Sequence, residues 1–128
     1  MMEPNEALAQ LAKMVQEAGY KAQIEQTYIK TAASGFMSLL FYYHDLGTLQ
    51  LYSGFTTPNG FTPNEANSFN SQFRFAKCVL VDDRVGFEWD HHFNVEDADA
   101  AARLSRIFSS WDVTLGNASS FLRQIRAA

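Results

Sequence analysis

The chain has 128 residues, close to the roughly 100–150 of one domain, so residues 1–128 are expected to form a single domain. With 47% hydrophobic, 14% aromatic and only 19% charged residues against an average of about 25%, the composition excludes an intrinsically disordered chain. A net charge of -4 argues against a nucleic-acid partner, and a single cysteine, Cys78, excludes an intrachain disulfide and a Cys-built zinc site and points to the reducing cytoplasm.

The amino end, Met1-Met2-Glu3-Pro4, has no basic segment leading into an apolar run, so it does not read as a signal peptide. Leu8, Leu11, Val15 and Ala18 recur at helical spacing between Asn5, a candidate N-cap, and Gly19, which suits the position past a helix end. Tyr20 is placed to pack back on that helix. From Ala22 to Lys30 a loose alternation with β-formers predicts one edge strand. Phe36 to His44 is almost wholly apolar, as in a central strand, and is far too short to span a membrane. Thr48 to Phe55 alternates around Leu49 and Leu51, and His44-Asp45-Leu46-Gly47 supplies the turn between the two runs.

Thr62-Pro63-Asn64-Glu65 predicts a helix start with Thr62 as N-cap, Pro63 at N1 and Glu65 closing a capping box, with Phe61 and Ala66 as a hydrophobic staple. That helix ends near Phe73. Phe75 to Val81 and Arg84 to Phe93 read as a hairpin about Asp82-Asp83. If Val81 pairs with Arg84, then Leu80 faces Val85, Cys78 faces Phe87 and Ala76 faces Trp89 on one side, while Lys77 lies opposite Glu88 on the other as an ion pair. Asn94 is the expected cap of a last helix with Glu96, Asp97 and Asp99 in its first turn and Arg123 and Arg126 in its last. Its apolar stripe is Leu104, Phe108, Trp111, Leu115, Ala118, Leu122 and Ile125, with Gly116 a place for a bend. The expected fold is therefore α+β, a five-stranded antiparallel sheet with helices on one face in the order α-β-β-β-α-β-β-α.

Little in this pattern points to chemistry. On a strand Asp90 and His92 face one way and His91 the other, so they cannot converge on a metal. Cys78, opposite Phe87, reads as a small core hydrophobe. The seven glycines form no dinucleotide, phosphate-loop or hydrolase-elbow motif. The arginines of the last helix fall in two pairs about 30 Å apart, which suits a solvated face. No nucleophile, base, metal or cofactor is expected, and hence no enzyme.

The aromatic surface is more telling. Pairing Tyr43 with Thr48 puts Phe36, Leu40, Tyr42, Leu49, Leu51 and Phe55 on one face and Met37, Leu39, Phe41, Tyr43 and Tyr52 on the other. Helices can cover one of these faces. The second would expose more contiguous apolar area than a monomer usually tolerates, so Met37, Leu39, Phe41, Tyr43 and Tyr52 are the candidate partner-binding residues, unless a helix or the sheet twist covers them. A second candidate is a small-ligand pocket between the strands and the last helix, around Tyr42, Trp89 and Trp111.

The segments Leu49-Gln50-Leu51-Tyr52-Ser53-Gly54-Phe55, Asn64-Glu65-Ala66-Asn67-Ser68-Phe69-Asn70-Ser71-Gln72-Phe73-Arg74-Phe75-Ala76-Lys77 and Gly86-Phe87-Glu88-Trp89-Asp90 together resemble the YbjN family of bacterial proteins. The likeness spans roughly residues 7 to 123 and departs from the family pattern between Trp89 and Val95. The resemblance implies a fold like that of type III secretion chaperones, which share the α-β-β-β-α-β-β-α order and are commonly homodimers. It implies a sensory transduction regulator and brings no catalytic residues. Within its motif, Asn67, Asn70 and Arg74 lie about one helical turn apart and can satisfy backbone groups where the helix meets the sheet, or contact a partner. Residues and resemblance together lead to the expectation of a cytoplasmic, non-catalytic protein-binding domain, chaperone-like or regulatory and a homodimer, with no membrane and no nucleic-acid partner; the alternative is a small-ligand sensor.

Overall fold

The computed structural model describes residues 2–56, 61–81 and 84–127. The elements are α1 (Pro4–Glu17), β1 (Ala22–Ile24), β2 (Ile29–Ala33), β3 (Phe36–Tyr43), β4 (Thr48–Thr56), α2 (Pro63–Gln72), β5 (Lys77–Val81), β6 (Arg84–His92) and α3 (Ala100–Ala127). All strand pairs are antiparallel and the spatial order is β1-β2-β3-β4-β6-β5. The sheet thus has six strands, where five were expected. The segment read as one edge strand folds back on itself at residues 25–28, where the Glu25 N–H donates to the Tyr28 carbonyl at 2.9 Å, and β1 and β2 pair as a hairpin. No described helix is long and apolar enough to cross a membrane.

Local signals govern most element ends. Helix α1 starts one residue before the expected cap, with Glu3 in extended backbone at the N-cap and Pro4 opening the first turn. It ends in a Schellman motif: Gly19 takes φ 97°, its N–H donates to Gln16, and the Tyr20 N–H donates to Val15. The Tyr20 ring then meets Phe108 of α3, 4.9 Å between centroids. Helix α2 has Thr62 and Pro63 where expected, but the Thr62 hydroxyl donates to the Glu65 carboxylate at 2.8 Å, so the reciprocal capping box does not form. The Asn94 side chain accepts the Glu96 N–H at 2.9 Å and its carbonyl the Asp97 N–H. These bonds close a turn of their own, and α3 begins only at Ala100, past the acidic residues expected inside it. The Asp82-Asp83 turn lies outside the described residues.

Burial follows the two faces of the sheet. Ile29, Leu40, Leu49, Leu51, Val85 and Phe87 are wholly buried on the face that meets the helices. Leu11 and Val15 of α1, Phe69 of α2 and Leu104, Phe108, Trp111 and Leu115 of α3 close this core from above. The Trp111 indole N–H donates to the Ser38 hydroxyl at 3.0 Å, with both residues fully buried. At the tip of the β2–β3 hairpin Ser34 (φ 51°) and Gly35 (φ 78°) are both left-handed, as a tight two-residue turn requires. The Ser34 hydroxyl reaches α3 at the Asp112 carbonyl (2.6 Å) and carboxylate (2.8 Å).

Replacing Ser38 with Ala leaves the buried indole N–H unpaired and should cost about 1–3 kcal/mol in urea unfolding. Trp111→Ala, which also empties the volume beneath α3, should cost about 3–5 kcal/mol. Equal losses in the two variants would mean that packing around Trp111 contributes little.

Candidate functional site

With the helices on one side, the other face of the sheet is open. Its cross-strand rows follow from the register: Tyr43, Thr48 and His92; then Phe41, Gln50 and Asp90; then Lys30, Leu39, Tyr52, Glu88 and Lys77; then Gly54, Gly86 and Val79 beside Ala32 and Met37. Met37 and Tyr43 are 57% and 51% exposed, while Leu39, Phe41 and Tyr52 are half-buried among their neighbours. The Tyr28 ring leans on Phe41 at 5.6 Å. The Tyr52 ring lies across the paired glycines of β4 and β6: a Cβ on Gly86 would come within 2.6 Å of it, and one on Gly54 within 3.1 Å of its hydroxyl. The two glycines are therefore a seat for this ring, which covers backbone that would otherwise be bare. The five candidate residues thus share one surface, apolar at its centre over β3 and β4 and flanked by Lys30 on one side and Glu88 and Asp90 on the other.

A cleft of about 470 Å³ opens at the edge of this face, between residues 73–77 and β6. Strand β5 was expected from Phe75 and begins only at Lys77, so Ala76 is not in the ladder opposite Trp89. Phe75 is 55% exposed and rests on Trp89, 5.5 Å between ring centroids. The remaining register is the expected one, with Cys78 opposite Phe87 and Lys77 opposite Glu88. The Lys77–Glu88 ion pair does not form, however: among the described residues the Lys/Arg–carboxylate contact within 4 Å is Arg103–Asp97. In the motif helix, the Asn70 amide accepts the Cys78 N–H at 2.7 Å and donates to the Cys78 carbonyl at 3.1 Å, in the manner of a neighbouring strand. Asn67 and Arg74 are exposed and take no part in that pairing, although Arg74 lines the cleft.

Among the described residues, Tyr42, Trp89 and Trp111 do not converge on the pocket expected around them. Trp111 is fully buried against Ser38, Trp89 lines the edge cleft, and Tyr42 borders a separate cavity of about 260 Å³ beside His44 and Pro4. The last of these holds an arrangement that no sequence motif marked. The Tyr42 hydroxyl accepts the Val95 N–H at 3.0 Å and pairs with His44 Nδ1 at 2.8 Å, and His44 Nε2 meets Glu96 at 2.8 Å. A carboxylate only accepts, so Nε2–H donates to Glu96. Both imidazole nitrogens are engaged, so His44 ties the β3–β4 turn to the segment before α3.

His91 faces the helices and His92 and Asp90 the open side. Among the described residues no three His, Cys, Asp or Glu side chains are placed to hold a metal ion. The His91 ring sits 4.0 Å from that of Trp89, with its buried Nε2 lacking a hydrogen-bond partner. Burial pulls its pKa down; the charge of Asp90 opposes this and that of Arg103 adds to it. Burial pushes the Cys78 thiol up to about 11.

No family model matches the chain, and no curated protein does. Among solved structures it is similar to YbjN from E. coli, a protein for which a role in transcription regulation has been put forward. The TM-score is 0.57 at 11% identity, over 88% of this chain and 93% of YbjN. At that identity the likeness is one of fold.

Two measurements check the site chemistry. Because the folded pKa of His91 lies below the ordinary 6.5, the unfolded chain takes up the proton first as pH falls. The stability His91 contributes is complete above about pH 6.5 and is lost as pH drops through its folded value. Urea midpoints should therefore fall from about pH 7 to about pH 5 in the native protein and change less in His91→Leu. Cys78 should react slowly with a thiol reagent at neutral pH and rapidly in denaturant, and Asn70→Ala, which frees the backbone of β5 at Cys78, should raise the native rate.

Proposed function

We propose that residues 1–128 act as one non-catalytic, cytoplasmic protein-binding domain, chaperone-like or regulatory, whose working surface is the open face of the sheet. The observation that carries this reading is the contiguous group of Met37, Leu39, Phe41, Tyr43 and Tyr52 on a face that no helix covers. An exposed patch rimmed by charge is the usual mark of a protein contact. The fold likeness to YbjN is in keeping with a regulatory role.

The first partner of this face is a second copy of the chain. An isologous contact needs one self-complementary surface. A two-fold axis running along the strands between β3 and β4 would lay each Leu39 and Tyr52 against the partner copy. In the same row it would bring Lys30 of one copy over Glu88 of the other. The alternative contact, through α2, would need the apolar side of that helix at the surface. Phe69, its large apolar residue, is instead wholly buried against Phe73, Phe87 and Phe121.

Light scattering over a concentration series tests the reading. The native protein should associate, Phe41→Glu should be a folded monomer, and Phe69→Glu should lose its fold. Glu88→Lys should weaken association and Lys30→Glu added to it should restore it. A native protein that stays monomeric up to the millimolar range would refute the self-contact.

A further inference from the structure

Alternate residues of an antiparallel strand bond to opposite neighbours, and one bond fixes the phase for β6: the Phe93 N–H donates to the Gly47 carbonyl, at the head of β4, at 2.9 Å. His91, Trp89 and Phe87 therefore bond to β4, and Glu88, Asp90 and His92 turn their N–H and C=O toward the β5 side. Lys77 occupies the place opposite Glu88, and the Arg103 guanidinium closes the His92 carbonyl at 2.7 Å. Continued in register, the chain before Lys77 would set Phe75 opposite Asp90; it stands outside the ladder there, and the Phe75 ring rests on Trp89. Among the described residues the N–H and C=O of Asp90 thus have no backbone partner on that side, and the opening is one residue long. It lies in the cleft of about 470 Å³, whose lining carries two cations, Arg74 and Lys77, and two carboxylates, Glu88 and Asp90, none of them paired with another.

We propose that this opening binds a free α-amino acid by its main-chain ammonium and carboxylate. Its length admits one residue and no more, and a single residue with both ends free is a zwitterion. The backbone of Asp90 sets the direction of the ligand. The N–H lies toward Glu88 and the C=O toward His91, so the ligand carboxylate accepts from the first and the ligand ammonium donates to the second, as one residue of an antiparallel strand does. The carboxylate then lies at the Lys77 end and the ammonium beside the Asp90 carboxylate. Arg74 and Glu88 offset one another in the rest of the lining, so neither a simple anion nor a simple cation is favoured. An L-residue in this place projects its side chain with that of Asp90 to the open face, among Gln50, Lys77 and Glu88 and away from Phe75 and Trp89, which suits a small polar side chain. The site lies at the margin of the sheet, two strands from Phe41, and does not depend on self-association.

The probe is L-serine, titrated into the ¹⁵N-labelled full chain, with N-acetyl-L-serine and L-serinamide as controls; each control keeps the hydrogen-bonding atom and loses one charge. The Asp90 amide should shift and its hydrogen exchange slow at millimolar serine, and either control should bind about fivefold more weakly, the equivalent of one exposed charge pair. Lys77→Gln should weaken serine and leave serinamide unaffected, while Asp90→Asn should weaken serine and leave N-acetyl-L-serine unaffected; both replace exposed side chains. Binding should persist in Phe41→Glu, which separates this site from the self-contact. Equal binding of serine and both controls, shifts confined to residues away from 73–77 and 88–91, or no shift at millimolar serine would each overturn the proposal, and none of them bears on whether the chain dimerises.

Discussion

The hydrogen bond from Trp111 to Ser38 fixes where α3 lies on the sheet, and the rest of the architecture is arranged around it. A buried indole N–H without an acceptor is costly, so this helix cannot slide or roll over the strands without losing that bond as well as the packing of the largest side chain in the core. The contact of Ser34 with Asp112, one residue further along the helix, holds the same level of α3 over the β2–β3 turn. With α3 fixed, α1 packs beside it and Phe121 closes on Phe69 of α2, so all three helices are held to one face. The opposite face is left open as a result of that layering.

The margins of the sheet show a second common theme, in which side chains take the place of missing strands. Asn70 presents an amide to Cys78 with the donor and acceptor order of a peptide group, and Arg103 closes the His92 carbonyl. Such bonds prevent a bare edge from pairing at random. They also explain why an asparagine and an arginine stand where helices meet the sheet.

Much of this was legible in the sequence where a period repeats. Alternation alone was enough to place Cys78 opposite Phe87 and Tyr43 opposite Thr48, and so to separate the residues of the open face from those of the core. The β1–β2 turn was not legible, because Glu25-Gln26-Thr27-Tyr28 contains none of the Gly, Pro, Asn or Asp that usually mark a reversal. The start of α3 was misplaced for the opposite reason: Asn94 has the chemistry of a cap and uses it on a local turn. The Tyr42–His44–Glu96 chain joins residues 52 positions apart, and the cleft beside Trp89 depends on where strand β5 begins. Neither leaves a trace in spacing.

The Ser34–Asp112 contact joins residues 78 positions apart, and α3 follows every strand in the chain. During synthesis the sheet therefore emerges before its principal cover, with Leu40, Leu49, Leu51 and Phe87 in water on one side and Phe41 and Tyr52 on the other. A nascent chain at that stage is sticky on both surfaces, the condition in which edge pairing between neighbouring chains on one message is fastest. The arrival of α3 removes the first of those hazards. The newborn protein is therefore sheltered on one face by its own last helix, at a moment set by the ribosome.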